Sequence, residues 1–346
     1  MRSHDAQQRM LKRCFFEALR LVRADTRALR RHGAKDHLLV LNLHSVSPDC
    51  NPYAPSLHPE LFGQLLAWLR DHATVTLLRD LPQRAQADPR RPLVVLSFDD
   101  GLRDFVEHAM PLLQAFGIPA NQNIIGSAVD TGQAPWTIRL LDLLGAAPVR
   151  LVQGLRVPGF SRHLASGDPD AQERFGAAIT NHLKSMRPAD RAPVLRMLEE
   201  DALKSVVVQQ PTRMMSAADV GAAHGAGHEV GAHSYSHESM EHVGDEAFLA
   251  DFRRCRAVLA RAGCEHCDVY AFPNGSHRPR QPGLLRQHGV RHVLLVGERP
   301  STPGAFVHSR LTLRGASVAE LRTRATLPAV VGRLSGAAPA RTRTSS

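Results

Sequence analysis

The sequence predicts an α/β protein built on a parallel β-sheet, and three features of its pattern lead to this class. Short apolar runs, each the length of a strand, recur along most of the chain. Between them lie segments whose apolar residues repeat about every 3.6 positions, as in an amphipathic helix. Strands that alternate with helices are typical of parallel sheets, and runs that are almost entirely apolar indicate strands covered on both faces. The pattern leaves open whether the sheet is open or closed into a barrel.

Seven apolar runs are predicted as strands, and four of the segments between them as helices. The strands lie at 37–44, 74–78, 93–98, 121–126, 228–233, 268–273 and 291–297, and the helices at 59–72, 102–117, 216–227 and 245–263. Turn residues separate most of these elements, as in "FGIP" at 116–119.

One region interrupts the alternation of strands and helices. From about residue 132 to residue 215, helical patterns follow one another with little strand pattern between them. We therefore expect a core domain over 34–330 that carries a mainly helical insertion, placed where a lid or a substrate-shaping element would fit. Residues 1–33 are predicted to form a basic helical segment, and the small, polar and basic residues of 331–346 a disordered tail.

The charge balance bears on the class of partner. Lys and Arg number 43 against 33 Asp and Glu, which gives a formal charge of +10. The Arg residues are spread along the chain and form neither a basic stripe nor a known nucleic-acid-reading motif, so we predict no nucleic-acid partner. The positive charge could attract an anionic substrate. Alternatively, the basic residues 1–33 could attract an acidic membrane surface.

Segments for membrane insertion or export are not predicted. The chain has no window of about 18 apolar residues that could cross a bilayer. Its first 33 residues have neither the long apolar centre nor the small-residue cleavage site of a secretory signal. We therefore expect the protein in the cytoplasm, with peripheral contact to the inner membrane as the alternative. The sequence leaves the oligomeric state open.

Two adjacent carboxylates end the third predicted strand. Asp99 and Asp100 follow the apolar run "LVVLSF" directly, and Gly101 comes next. Side-by-side carboxylates repel each other, so at least one of them needs a cation, a proton or a hydrogen-bond donor close by.

Two histidines follow another predicted strand, in the stretch "EVGAHSYSH". If the chain turns into a helix there, His233 and His237 share one face, because residues four apart do so. Imidazole pairs suit a divalent metal of the zinc type, and in a parallel α/β fold both motifs lie at the carboxyl ends of strands, where sites assemble. Two histidines and one carboxylate would supply three ligands and leave a position for water, while the second carboxylate handles protons.

Three short motifs resemble those of the NodB-homology polysaccharide deacetylases (carbohydrate esterase family four), and most of all the branch that acts on exopolysaccharides and cell-surface glycans. "SFDDG" (97–101) resembles the first motif, "HSYSH" (233–237) matches the second, and "YAFPNG" (270–275) resembles the third. The resemblance covers roughly residues 37–297, broken by the insertion. It implies a distorted (β/α) barrel of about seven parallel strands, and metal-dependent removal of acyl groups from sugars.

The resemblance also implies a role for each motif residue. Asp99 would be the general base, taking a proton from the attacking water. The ligands of a divalent metal, zinc ahead of cobalt or nickel, would be Asp100, His233 and His237. The metal would polarise the acyl carbonyl and lower the pKa of that water. The backbone near Pro273 and Asn274 would help to hold the oxyanion.

The chain departs from the family pattern at two points. Ala271 stands where many members carry an Arg that positions the base, so the sequence does not show what orients Asp99. The late motif that commonly supplies the general acid is not evident either. His44 ends the first predicted strand and is the preferred acid, because a histidine at that end of a strand faces the site of a barrel. His308 is the alternative.

Two aromatic residues are further candidates for substrate contact. Tyr53 lies in the segment "NPYAP", which resembles one common in the exopolysaccharide branch, and is predicted to face a sugar. Trp136 opens the insertion, where it would either stack on a sugar ring or anchor the insertion as a buried residue.

The function predicted from these features is a metal-dependent deacetylase that hydrolyses an N- or O-acyl group of a sugar, and thus a hydrolase of carbon–nitrogen bonds other than peptide bonds. A cytoplasmic location favours a precursor over a finished polymer, in the biosynthesis of a bacterial cell-surface polysaccharide, lipopolysaccharide or capsule. Two alternatives stay open: hydrolysis of a non-sugar amide on the same scaffold, and a catalytically inactive barrel that binds glycans.

Overall fold

Parallel β-strands form the centre of the computed structural model, which describes residues 2–81, 88 and 91–334, with residues 2–9 and 332–334 as backbone only. The strands in this part of the chain are β1 (Leu38–Leu43), β2 (Thr74–Val75), β3 (Leu93–Phe98), β4 (Asn121–Ile124), β5 (Glu229–Ala232), β6 (Val269–Ala271), β7 (His292–Val296) and β8 (Val307–Thr312).

Seven of these strands close a ring in the order β1-β8-β7-β6-β5-β4-β3, because β1 pairs with β3 as well as with β8. The short strand β2 lies outside the ring and pairs with the first residues of β3. The predicted distorted (β/α) barrel with about seven parallel strands and a mainly helical insertion is thus confirmed.

Helices surround the barrel and build the insertion. Those before the insertion are α1 (Arg2–Leu21), α2 (Ala24–Ala34), α3 (Pro59–His72), α4 (Met110–Phe116) and α5 (Gly126–Thr131). Those of the insertion, between β4 and β5, are α6 (Trp136–Ala146), α7 (Val149–Gly154), α8 (Pro169–Lys184) and α9 (Pro188–Arg196). The remaining helices are α10 (Ala217–Gly225), α11 (Asp245–Arg261), α12 (Gln281–Gln287), α13 (Val318–Thr326) and α14 (Pro328–Leu334).

Alternate strand residues face the inside of the barrel and the surrounding helices, as the period of two in a strand requires. Leu38 and Val40 of β1 pack inside the barrel with Val95 of β3. Leu39 and Leu41 point the other way, into the larger core under the helices. Because both faces of these strands are buried, their sequences are almost entirely apolar, which is the pattern that revealed them.

The sequence analysis missed strand β8, which closes the ring between β7 and β1. Four of the six residues in its sequence "VHSRLT" are polar, so it contains no apolar run. His308 and Arg310 are nevertheless completely buried, because they point into the barrel and meet polar partners there. An inward-facing strand position is therefore not always apolar in this protein.

The two ends of the chain pack beside each other. Phe16 of α1 is buried against Ala319 of α13 and Val331 of α14. The prediction of a disordered tail from residue 331 is wrong for 331–334, which complete α14. The rest of that predicted tail, 335–346, lies outside the described residues.

Candidate metal centre and active site

A tight turn after β3 positions the two adjacent carboxylates. Asp100 and Gly101 both have left-handed backbone conformations, with φ of 74° and 73°. For a residue with a side chain, such a conformation costs on the order of 1–3 kcal/mol and is typical of functional sites. The N–H of Asp99 donates to the carbonyl of Leu43 in β1 at 3.1 Å, which ties the turn to the neighbouring strand. Both carboxylates are buried at the carboxyl end of the barrel.

The stretch from His233 to His237 is a loop, so the helical turn that would place both histidines on one face is not formed. Ser234 and His237 have positive φ values of 62° and 55°. The N–H of His237 donates to Ser234 Oγ at 2.8 Å, so this serine helps to hold the loop. The carboxylate of Asp251 in α11 accepts the two intervening backbone N–H groups at 2.7 and 2.9 Å. Side chains, not helical hydrogen bonds, therefore bring the two imidazoles together.

The three predicted metal ligands meet at one point. The Nε2 atoms of His233 and His237 lie 3.4 and 3.3 Å from Asp100 Oδ1. One donor atom from each of the three residues lies within 4.8 Å of the others. His233 Nδ1 is 2.8 Å from the carbonyl oxygen of Ala271, so it donates its proton to the backbone and leaves Nε2 to face the ligand group.

This group fits a divalent metal ion. Asp100 Oδ1 is buried and has no hydrogen-bond partner among the described residues, which is costly for a carboxylate unless a cation lies nearby. Two imidazole nitrogens and one carboxylate form the ligand set of many catalytic zinc sites. Within the described part of the chain, no second group of three such side chains comes this close together.

Burial and charge oppose each other at the three ligands. Burial raises the pKa of Asp100, but the contacts with His233 and His237 outweigh it and hold that pKa well below its ordinary value. Burial lowers the pKa of His233, but the charges of Asp99 and Asp100 outweigh it and raise that pKa. For His237, burial prevails and lowers the pKa. Asp100 is therefore ionised and attracts a cation.

We expect His233→Ala and His237→Ala to abolish stable metal binding, because each variant leaves only two of the three ligands. Zinc-loaded, dialysed protein should hold about one ion per chain, and either variant close to none. The matched control is His224→Ala, which removes an exposed histidine of α10. Elemental analysis makes the comparison, and undiminished metal in both ligand variants would contradict the assignment.

Arg310 of β8 orients Asp99, and the sequence analysis missed this residue. Its Nη1 donates to Asp99 Oδ1 at 2.7 Å and to Asn42 Oδ1 of β1 at 2.8 Å. Asn123 of β4 donates from Nδ2 to the same oxygen of Asp99 at 2.8 Å. Donors from two strands, β8 and β4, therefore hold the carboxylate, and Asn42 of β1 in turn holds Arg310.

This arrangement resolves the departure at Ala271. In many members of the family, the arginine that positions the base occupies the position of Ala271, on β6. In this protein Arg310 of β8 supplies the guanidinium instead. Burial raises the pKa of Asp99, but the positive charges of Arg310 and His233 outweigh it and hold that pKa below its ordinary value. In the sequence, the signal for this role was an Arg two positions after a His in the stretch "FVHSRLTL". This spacing indicates that both side chains point into the barrel once the stretch is recognised as a strand.

The two candidates for the general acid lie in different places. His44 directly follows β1, is exposed, and is close enough for its charge to lower the pKa of both Asp99 and Asp100. His308 lies inside the barrel, where its ring nitrogens contact His292 at 3.1 Å and Ser301 at 3.0 Å. Burial lowers the pKa of His308 to about 4. The structure brings His44 to the site and does not bring His308 there.

The third motif borders the ligand group. Pro273 is buried, whereas Asn274 is exposed and adopts a positive φ of 59°. Asn274 Nδ2 donates to Ser239 Oγ at 3.2 Å, on the chain segment that follows His237. The motif is therefore adjacent to the site, and a backbone contribution to an oxyanion hole stays a prediction.

Tyr53 and Trp136 do not form an exposed sugar-binding surface. Both are buried in the core of the insertion, with 3% and 9% of their surfaces exposed. Tyr53 packs edge-to-face on Phe175 of α8, and the guanidinium of Arg191 lies 4.7 Å from the centre of the Trp136 ring. The prediction that Tyr53 faces a sugar is wrong, and Trp136 is the buried anchor, because the insertion needs large apolar residues for a core of its own.

The insertion is attached to the loop that carries the metal ligands. Arg191 of α9 donates from Nη2 to both carboxylate oxygens of Glu238, at 2.5 and 2.6 Å. Glu238 directly follows the ligand His237 in the sequence. Burial lowers the pKa of Lys184, the last residue of α8, while the charge of Asp100 opposes that shift. The insertion thus forms one wall of the site and brings a cation towards Asp100.

Comparison with known proteins finds one matching family model, over part of the chain, and several solved structures with a similar fold. The family model described as "Polysaccharide deacetylase" matches residues 186–293, which include the second and third motifs. The deacetylase PplD of Streptococcus pyogenes, solved in complex with acetate, is similar at 14% identity and a TM-score of 0.52, over 82% of this chain and 96% of that one. IcaB from Ammonifex degensii is similar at 20% identity and a TM-score of 0.53, over 84% and 97%. No curated protein matches the sequence.

The comparisons agree with the motifs. The family match agrees with the resemblance of the second and third motifs to those of the polysaccharide deacetylases. The two solved structures share the barrel fold.

Proposed function

We propose that this chain, with a polysaccharide deacetylase match over residues 186–293, is a metal-dependent deacetylase that hydrolyses an N- or O-acyl group of a sugar. The observation that carries the proposal is the convergence of Asp100, His233 and His237 beside a second buried carboxylate, Asp99. A metal site next to an ionised base suits the metal-assisted attack of water on an acyl group.

Each side chain of the site has a separate task. A divalent ion bound by Asp100, His233 and His237 would polarise the acyl carbonyl and lower the pKa of a nearby water. Asp99, held as a carboxylate by Arg310, accepts the proton of the attacking water. His44, on the open side of the site, donates a proton to the leaving amine or alcohol.

We predict that His44→Ala lowers kcat for acetyl release about a hundredfold and leaves metal content unchanged, because His44 acts as an acid and not as a ligand. Steady-state kinetics and elemental analysis on the same preparation test this expectation. His266→Ala, which removes an exposed histidine far along the chain, is the control. Unchanged kcat in His44→Ala would refute the assignment of the acid.

The substrate class is a sugar precursor of a bacterial cell-surface polysaccharide, lipopolysaccharide or capsule. Two observations support a glycan: the family match, and the fold shared with deacetylases such as IcaB and PplD. The excess of arginine favours an anionic, phosphate-linked precursor. Location at the cytoplasmic face of the inner membrane, and zinc in preference to cobalt or nickel, belong to this proposal.

The deciding experiment measures acetate release from UDP-N-acetylglucosamine, short chitooligosaccharides and simple amides, before and after chelation and zinc readdition. The proposed activity would be established if acetate is released from a sugar, if chelation abolishes that release, and if added zinc restores it. Release from the simple amides alone would instead show a non-sugar amidase. If the protein binds metal but releases acetate from none of these compounds, the inactive glycan-binding barrel would be the supported alternative.

A further inference from the structure

One face of helix α1 attaches it firmly to the rest of the protein. Phe16 is 1% exposed and packs against Ala319 and Val331. On the same side, Lys12 Nζ lies 2.9 Å from Glu320 Oε1 of α13. The helix is therefore held in a defined orientation, and its other face is presented to the surroundings.

That other face is apolar and its large side chains are exposed in the described part of the chain. Its large side chains and their exposed fractions are Met10 69%, Leu11 63%, Phe15 38%, Leu21 73% and Val22 57%. Their spacing places them on one side of a helix, together with the exposed Cys14. They are five of the eight large hydrophobic residues that are exposed in the described part of the chain, so apolar exposure is concentrated here.

Helix α2 and the residue before it expose four arginines. Arg23, Arg27, Arg30 and Arg31 are all exposed, and their spacing again corresponds to one side of a helix. Within the residues that the structure describes, none of the four forms an ion pair or a side-chain hydrogen bond. Arg23 directly follows Val22 and has a left-handed backbone, with φ of 52°. The apolar row of α1 therefore continues, through one tight turn, into a row of free arginines.

We propose that these two rows form a single docking surface for an anionic lipid bilayer. Side chains such as Leu11, Phe15 and Val22 suit the boundary between headgroups and acyl chains, and guanidinium groups suit lipid phosphates. The helix would lie in the plane of the interface, since no helix among the described residues is long and apolar enough to span a bilayer. This inference is independent of the proposed deacetylase activity.

Two other occupants fit these residues less well. A second copy of the chain packed in parallel on the apolar row would bring the two rows of arginines close together, where like charges repel, and one packed antiparallel would leave the arginines without an anionic partner. A nucleic acid would use the arginines but would leave Leu11, Phe15 and Leu21 in water. A bilayer with anionic headgroups is the partner that uses both rows.

The test is co-sedimentation of the full chain with vesicles of phosphatidylcholine, with and without phosphatidylglycerol. We expect binding to the anionic vesicles, weakened by salt, and little binding to phosphatidylcholine alone. Arg27→Gln with Arg30→Gln should weaken binding roughly twenty-fivefold, because each arginine near an anionic surface contributes about fivefold. Arg150→Gln with Arg162→Gln, two exposed arginines of the insertion, is the matched control and should leave binding unchanged.

A second pair of variants tests the apolar row. Leu11→Ser with Phe15→Ser should abolish the vesicle-bound fraction without unfolding the protein, since both side chains are exposed. A fluorophore on Cys14, in a Cys50→Ser background, should shift its emission to the blue with anionic vesicles, because Cys14 lies on the apolar face. Undiminished binding in either pair of variants would overturn the proposal. A concentration-dependent dimer that Leu11→Ser with Phe15→Ser dissociates, without vesicle binding, would replace the bilayer by a second copy.

Discussion

Asp99→Asn should lower acetyl release about a thousandfold while leaving the protein folded and its metal content unchanged. Asparagine keeps the size of the side chain, and its Oδ1 can still accept the hydrogen bonds that Arg310 and Asn123 donate. What it cannot do is accept a proton from the attacking water. The expected loss therefore falls on kcat, with little effect on metal binding, because Asp99 is not one of the three ligands.

The measurement is single-substrate kinetics on zinc-loaded protein, with metal quantified in the same samples. Asp71→Asn, which changes an exposed carboxylate at the end of α3, is the control and should retain full activity. If Asp99→Asn kept its activity, the base would be another group. If it lost metal together with activity, Asp99 would be a ligand, and the division of tasks between the two carboxylates would have to be reversed.

Arg310→Met should lower the free energy of unfolding by about 3 kcal/mol, because it leaves the carboxylate of Asp99 buried without its charged partner. Arg310 is completely buried, and its guanidinium connects Asp99 to Asn42 across neighbouring strands. The same substitution in an Asp99→Asn background should be less costly, since a neutral amide does not need a counter-charge. The difference between the two backgrounds should be about 1–3 kcal/mol.

Urea denaturation of the four proteins, wild type, both single variants and the double variant, measures this coupling directly and does not depend on substrate. Strictly additive effects would show that Arg310 does not act on Asp99. Where Arg310→Met is too unstable to purify, Arg310→Lys replaces it. The lysine variant should be destabilised less than Arg310→Met, because it keeps the charge but not the geometry of the guanidinium.

The two carboxylates and the two histidines could be identified from short stretches of sequence, because each pair is local. Asp99 and Asp100 are adjacent, and His233 and His237 are only four residues apart. Both pairs directly follow apolar runs, and parallel strands bring their carboxyl ends to one side of a sheet. Local pattern and a general rule of topology were therefore sufficient to place the ligands together.

How the histidine loop is built could not be predicted in the same way. A spacing of four residues is compatible with a helical turn, and the structure instead shows a loop whose N–H groups are held by Ser234 and Asp251. Asp251 belongs to a helix that follows the loop in the chain. Hydrogen-bond partners of this kind depend on where a helix from later in the chain packs. The periodicity of a local stretch of sequence does not predict that packing.

By itself, the sequence determined the strand–helix alternation, the barrel class by resemblance, and the residues that gather at its rim. Only the tertiary structure decided that Arg310 supports Asp99, across 211 residues of chain, and that Tyr53 and Trp136 lie inside the insertion. The reason is physical: a strand's own pattern reports which side chains must leave water, but not which side chains they meet. A buried charge such as Arg310 disrupts the apolar pattern of its strand, and its partners become apparent only when the barrel closes.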